Sequence, residues 1–349
     1  MIRAAAAAVL IVAVLAIGAT AALAQPYAAR RTGDVIQLED AKTQTVVSIV
    51  PSVGNIAFEM KVHGTNVLYW PFTALQDFKA RPSMSGVPFL GPWANRLDEP
   101  AFFANGKRYP FDMALGNVRG GEIPIHGLLT TTDQWQVVEA KADGASAWAT
   151  SKLEFYRQPS WMKQWPFAHT IEITHRLQGG VLEVRTSIAN LSAEPMPVAI
   201  GFHPYYQLTD SKRDEWTLSI GARAHWLLAP NKIPTGATEP TEKLFPDPRR
   251  APLRDYDLDD VFGDLTRDAQ GRAIVSVAGK SQQIEIALGA NYRAAVVWAP
   301  KGREFICIEP MAGITDAVNL AHRGLYKELQ TIAPGGTWRE SFWITPRGF

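Results

Sequence analysis

From Thr170 to Leu177 the chain reads TIEITHRL, with Ile171, Ile173 and Leu177 in one phase and Glu172, Thr174 and Arg176 in the other. A period of two is the pattern of a half-buried β-strand. After Gln178-Gly179-Gly180 the alternation resumes in VLEVRTSI through Leu182, Val184 and Ile188, so the spacing predicts a hairpin closed by the glycine pair. Similar short runs at 35–38, 45–50, 57–62, 135–140, 153–155, 217–220, 283–288, 294–298 and 305–309 predict further strands. Helical periodicity is scarce, apart from a short helix near Ala74 to Phe78. Many short strands separated by Gly, Pro and Asn turns predict an all-β protein, a large antiparallel β-sandwich or barrel. The proline-rich stretch 230–252 is read as a long surface loop rather than a boundary, because strands resume after it without a change in composition. Residues 25–349 are accordingly read as a single domain.

The first 24 residues depart from this pattern. Arg3 supplies a positive start, Ala4 to Ala22 an apolar core and Ala22-Leu23-Ala24 a small-x-small exit before Gln25, which together read as a cleaved signal peptide. The expected location is periplasmic or secreted. A retained anchor is the alternative, since the apolar stretch approaches a bilayer-spanning length, but the small-residue exit favours cleavage. No second long apolar run follows, so the exported chain is expected to be free of the membrane, as a monomer or homodimer.

Composition narrows the chemistry. Cys307 is the single cysteine, so no internal disulfide framework forms even in a compartment that would permit one. Lys and Arg number 35 against 34 Asp and Glu with no basic stripe, which argues against a nucleic-acid partner. With neither a Cys/His cluster nor a glycine-rich phosphate loop, no metal or nucleotide cofactor is expected.

Five segments place titratable residues among Gly, Pro and aromatic neighbours: GFHPYYQL with His203, GPWANRL with Arg96, PIHGLL with His126, DLDDVFGDL with Asp259 and Asp260, and FICIEPMAG with Glu309. Singly, most have plain readings. His203 fits a packed ring, Arg96 a surface ion pair, His126 a turn residue, and the acidic run a solvated loop or helix start. Glu309 is different. In the strand 305–309, Phe305, Cys307 and Glu309 share one face and Ile306 and Ile308 the other, so a carboxylate ends a strand that is apolar on both sides. It must find donors, pair with an arginine or accept a raised pKa. A raised pKa prepares a carboxylate for general-base work near neutral pH.

Taken in order, ANRL at 94–97, IHG at 125–127, WPF at 165–167, Asn190 with Pro195 and Pro197, GFHPYY at 201–206, LDDVF at 258–262, CIEP at 307–310 and DAVN at 316–319 resemble the aldose 1-epimerase (galactose mutarotase) family along most of the mature chain. The resemblance implies a β-supersandwich fold and a cofactor-free interconversion of the α and β anomers of a small-molecule sugar. It implies Glu309 as general base and His203 as general acid, with Arg96 and His126 holding the substrate. The family's hydroxyl-accepting aspartate matches Asp259, or Asp260 if the alignment slips by one. Leu128 stands where a second glycine is frequent, which could narrow the site, and Tyr206 keeps an aromatic wall where Phe is commoner. Trp93, three residues before Arg96, is the expected sugar-stacking tryptophan among the 11 in the chain, and Asn95 beside it joins the substrate-binding set.

Three other readings remain open at this point: a non-catalytic carbohydrate-binding module, a hexose-6-phosphate mutarotase and a glycoside hydrolase. The second would need Arg119, Lys163, Arg213 or Arg293 near a phosphate. The third would need Glu309 and Asp259 as its carboxylate pair.

Overall fold

In the computed structural model, residues 25–115, 118–119 and 123–349 are described. The 1–24 segment and the Arg119 side chain lie outside the described residues. The predicted hairpin forms from His169–Gln178 and Val181–Asn190, in register from Leu177 opposite Leu182 to His169 opposite Asn190. Gly179 and Gly180 both have positive φ, at 58° and 75°, where the missing Cβ removes the usual penalty. This hairpin lies within a nine-stranded sheet, in the order Gln136–Ala142, Ala147–Glu154, His169–Gln178, Val181–Asn190, Thr337–Arg347, Gln283–Leu288, Ala273–Ala278, Thr217–Ile220 and Ala251–Pro252.

A second, eight-stranded sheet carries the functional residues. Its order is Pro234–Pro240, Ala222–Leu228, Leu258–Leu265, Ala294–Ala299, Ile306–Met311, Gly201–Phe202 and Phe89–Leu90, with Tyr205–Tyr206 also pairing with Ile306–Met311. A five-stranded sheet near the described N-terminus runs from Tyr27–Thr32 to Thr65–Asn66. Its pairings and those of the two large sheets are antiparallel. One apolar core receives side chains from all three sheets: Ile36 and Leu38, Ile171 and Val184, and Phe262, Val297 and Ile308. The architecture is the predicted all-β antiparallel one.

Predicted strands at 45–50, 217–220 and 283–288 have their expected bounds, and the short helix occupies Leu75–Ala80. Two segments differ from expectation. The run at 153–155 is the end of a longer strand, Ala147–Glu154, with Phe155 already in a 3-10 turn. Its inward positions begin with Ala147, Ala149 and Ser151, too small to display the alternation that the burial pattern shows. The stretch 230–252 is also more than a loop, holding the strand Pro234–Pro240, the helix Thr241–Leu244 and the pair Ala251–Pro252. Prolines mask such a strand in the sequence, yet an edge position tolerates them because one side of the strand owes no ladder hydrogen bonds; Pro234–Pro240 is an edge of the eight-stranded sheet.

Candidate active site

The strand Ile306–Met311 divides its side chains as the alternation predicts. Ile306 and Ile308 enter the main core, whereas Cys307 packs with Tyr205 and Phe305 on the opposite face. Glu309 follows on that second face and looks into a cavity of about 500 Å³, a volume within the range of small-molecule sites. The cavity is lined by Met84, Asn95, Arg96, Ile125, His126, His203, Tyr205, Asp259, Trp298 and Glu309. Five separate loops and strands therefore deliver Arg96, His126, His203, Asp259 and Glu309 to one place.

Glu309 is 1% exposed. Its Oε1 lies 3.3 Å from His203 Nε2, while Oε2 has no hydrogen-bond partner among the described residues. Burial pushes the carboxyl pKa well above its ordinary range, the negative charge of Asp259 adds to that rise, and the Arg96 guanidinium opposes it. His203 is held where the chain breaks between the short strands Gly201–Phe202 and Tyr205–Tyr206. Its backbone N–H donates to the Pro88 carbonyl at 3.0 Å. Its ring stacks on Tyr205, with centroids 4.9 Å apart, and meets Trp298 and His126 edge to face.

Arg96 and His126 come from two loops joined by a bridge between Arg96 and Ile125. Asn95 and His126 both adopt left-handed backbone, φ 58° and 60°, a costly conformation for residues with a Cβ that tends to persist at functional sites. The His126 N–H donates to the Asn95 carbonyl at 3.0 Å. Gly127 has to be glycine, because a Cβ there would meet the Gly91 carbonyl oxygen at 2.1 Å. The Asn95 side-chain oxygen accepts from the Arg96 backbone N–H and from its guanidinium. The guanidinium then reaches Asp259 at 3.3 Å, and its backbone carbonyl accepts the N–H of Asp316 at 3.1 Å.

The structure thus gathers Glu309, His203, Arg96, His126, Asp259 and Asn95 around one cavity, and it separates other expected residues from it. Asp260 does not line the cavity; it bonds His225 on the opposite side of the strand. Trp93 is fully buried among Phe111 and Trp165, because its side chain fills the main core instead of facing the sugar space. The aromatic wall is Tyr205, since Tyr206 turns into the core. Leu128 packs against that core and does not line the cavity. Trp298, a cavity residue not foreseen in the sequence, lies directly across the strand pair from Asp259.

The sequence pattern of the family described as aldose 1-epimerase matches residues 34–345. The chain belongs to the aldose 1-epimerase family. Solved structures agree on the fold. A galactose mutarotase-like protein from Clostridium acetobutylicum superposes with a TM-score of 0.79 at 21% identity, covering 93% of this chain and 98% of its own. Galactose 1-epimerase from Lactobacillus acidophilus gives 0.71 at 15% identity, covering 93% and 98%. An aldose epimerase homologue from C. elegans gives 0.69 at 18% identity, covering 88% and 97%. The galactose mutarotase-like architecture is therefore shared over about nine-tenths of the chain, and membership of the aldose 1-epimerase family supports a mutarotase-type function.

Proposed function

We propose that the protein interconverts the α and β anomers of a free hexose, with Glu309 as general base and His203 as general acid. The observation that carries this reading is the 3.3 Å contact between His203 Nε2 and Glu309 Oε1 on the floor of the cavity. An adjacent pair can serve both oxygens, because the C1 hydroxyl and the ring oxygen are bonded to the same carbon.

The proton balance closes on the pair. With Glu309 ionised and His203 protonated, Glu309 takes the C1 hydroxyl proton as a C1=O double bond forms, the C1–O5 bond breaks, and His203 donates its proton to O5. The products are an open-chain aldehyde, a protonated Glu309 and a neutral His203. Rotation about C1–C2 presents the other carbonyl face. Closure then runs backwards, His203 taking the O5 proton and Glu309 protonating the new C1 oxygen. The pair holds one proton at the start and the end, so neither residue need exchange with solvent. Each such positioned transfer is typically worth ~10²- to 10⁴-fold.

Arg96, His126 and Asn95 supply donors and acceptors that keep C1 against the pair, and Asp259 accepts hydroxyl hydrogen bonds on the opposite wall. Trp298 and Tyr205 offer aromatic surface to the apolar face of a pyranose.

The test is polarimetry of freshly dissolved α-glucose and α-galactose with wild type, Glu309→Gln and His203→Ala. Acceleration by wild type, lost in both folded variants, is the expected result. Sugar binding without acceleration would make the protein a binding module instead.

A further inference from the structure

His225 lies outside the cavity, on the strand Ala222–Leu228, and is 7% exposed. Both of its ring nitrogens meet carboxylates: Nδ1 is 3.0 Å from Glu239 Oε1, and Nε2 is 3.0 Å from Asp260 Oδ1. Ionised carboxylates only accept, so both nitrogens must donate, and only the imidazolium has two ring N–H groups. Burial, the largest influence, acts against that charge, but the hydrogen bonds and negative charges of Asp260 and Glu239 together outweigh it and raise the ring's pKa.

The clamp reaches the cavity through one peptide unit. Asp260 Oδ2 accepts the backbone N–H of Asp259 at 3.0 Å, and the Asp259 carboxylate meets Arg96 inside the cavity. The two aspartates leave opposite faces of Leu258–Leu265, so the charge that fixes one stands behind the other.

We infer that His225 is a positioning residue for the sugar site: clamped between Glu239 and Asp260, it pins Asp260 to the far face and thereby fixes the backbone of Asp259. The inference rests on the mutarotase reading of the cavity. Without the imidazolium, Asp260 is left as a largely buried carboxylate with no cation beside it among the described residues, and such a group relaxes toward water. Asp259 then loses the partner of its amide, and the wall that receives sugar hydroxyls loosens.

The dependence on pH follows in sign. The clamp is intact below the ring's ordinary pKa of about 6.5 and is lost as pH rises through the raised folded value, because the neutral ring donates to one carboxylate and turns a lone pair toward the other. The groups facing the ring are Glu239 from the edge strand and Asp260 and Phe262 from the strand on the other side. The helix Thr241–Leu244, also packed on Ala222–Leu228, carries Glu242 and Lys243, both exposed.

The experiment measures kcat and KM by polarimetry from pH 5.5 to 9.5 for wild type, His225→Gln and Asp260→Asn, each checked for folding. His225→Gln should raise KM about tenfold with little change in kcat, since Asp259 holds the sugar without reacting. Asp260→Asn is the conservative rescue: its amide oxygen still accepts the Asp259 N–H and its NH₂ donates to a neutral His225. KM should therefore stay near the wild-type value, and the alkaline rise in KM expected of wild type should be absent. A folded His225→Gln with wild-type KM and pH profile overturns the inference. If that variant does not fold, an Asp260→Asn that keeps the alkaline rise in KM overturns it equally. Should wild type accelerate no aldose, the proposed function falls separately, and calorimetric titration with galactose decides. Weaker binding by His225→Gln then supports the positioning role; equal binding, or none by wild type, removes it.

Discussion

Trp298 and Asp259 face each other across neighbouring strands, and both line the cavity. The pair joins an aromatic surface to a hydrogen-bond acceptor, the two kinds of group that recognise the apolar face and the hydroxyls of a pyranose. Trp298→Ala should raise KM for hexoses roughly tenfold, equivalent to about 1.4 kcal/mol, with the melting temperature nearly unchanged. Trp93→Ala should do the reverse. Trp93 is wholly buried against Phe111 and Trp165, so its truncation should cost about 3–5 kcal/mol of stability and leave KM alone in whatever fraction stays folded. Steady-state kinetics beside thermal melts separate the two, and a KM effect confined to Trp93 would return it to the site.

Glu309 carries a cost that its catalytic role explains. Burial and the nearby Asp259 charge raise its pKa despite Arg96, so the folded protein binds this proton more tightly than the unfolded chain does. The associated stability is fully present below the ordinary carboxylate value of about 4.3 and is lost as pH rises through the raised folded value. A neutral isostere escapes that loss. Glu309→Gln should therefore lose ~10²-fold or more in kcat yet melt about 1–3 °C higher than wild type near pH 8, with the difference shrinking toward pH 4. Melting curves at the two pH values check this, and a destabilised variant at pH 8 would mean that Glu309 is held by favourable contacts as an ion.

Glu309 could be read in advance from its chemistry, as a carboxylate on a strand apolar on both faces, whereas His203, Arg96, His126 and Asp259 had plain readings singly and were joined to it by the family resemblance. What escaped was cross-strand register. Trp298 and Asp259 are far apart in the chain, and no local pattern announces that they are neighbours. The choice between the two aspartates was better marked than it seemed. Leu258, Asp260 and Phe262 alternate onto one face, and Leu258 and Phe262 enter the core, which leaves Asp259 for the cavity side. In the fold, strands with large inward residues were legible, whereas Ala147–Glu154 hid behind small ones and Pro234–Pro240 behind its prolines.

A phosphorylated hexose should be a poor substrate. Arg96 is the one Lys or Arg lining the cavity among the described residues, and its guanidinium is engaged by Asn95 and Asp259. Arg213 is buried and donates to the carbonyls of Leu253, Tyr256 and Ala299; Arg293 lines a different pocket beside Tyr326 and Glu328; Lys163 sits on the helix Pro159–Gln164 and does not line the cavity. Among the described residues a phosphate would meet Asp259 and Glu309 with no free cation lining the cavity to offset it. kcat/KM for glucose 6-phosphate should fall at least about tenfold below that for glucose, and the opposite ranking would move the protein to the hexose-6-phosphate branch.

We propose that residues 1–24 are removed on export, and the start of the fold suits that cut. The strand Tyr27–Thr32 pairs with Val35–Asp40 from Tyr27 opposite Asp40 onward, so the ladder begins two residues after the Ala24–Gln25 bond, and Gln25 and Pro26 are exposed. Cleavage at that bond therefore leaves every pair of this ladder in place. Expression of the full gene with fractionation and intact-mass measurement should give a periplasmic or secreted protein beginning at Gln25. Because the residues lining the cavity run from Met84 to Glu309, well past the cut, Met followed by residues 25–349 should have the same kcat/KM as the processed protein. A full-length product retained in the membrane fraction would make the segment an anchor, with the same cavity tethered at the surface.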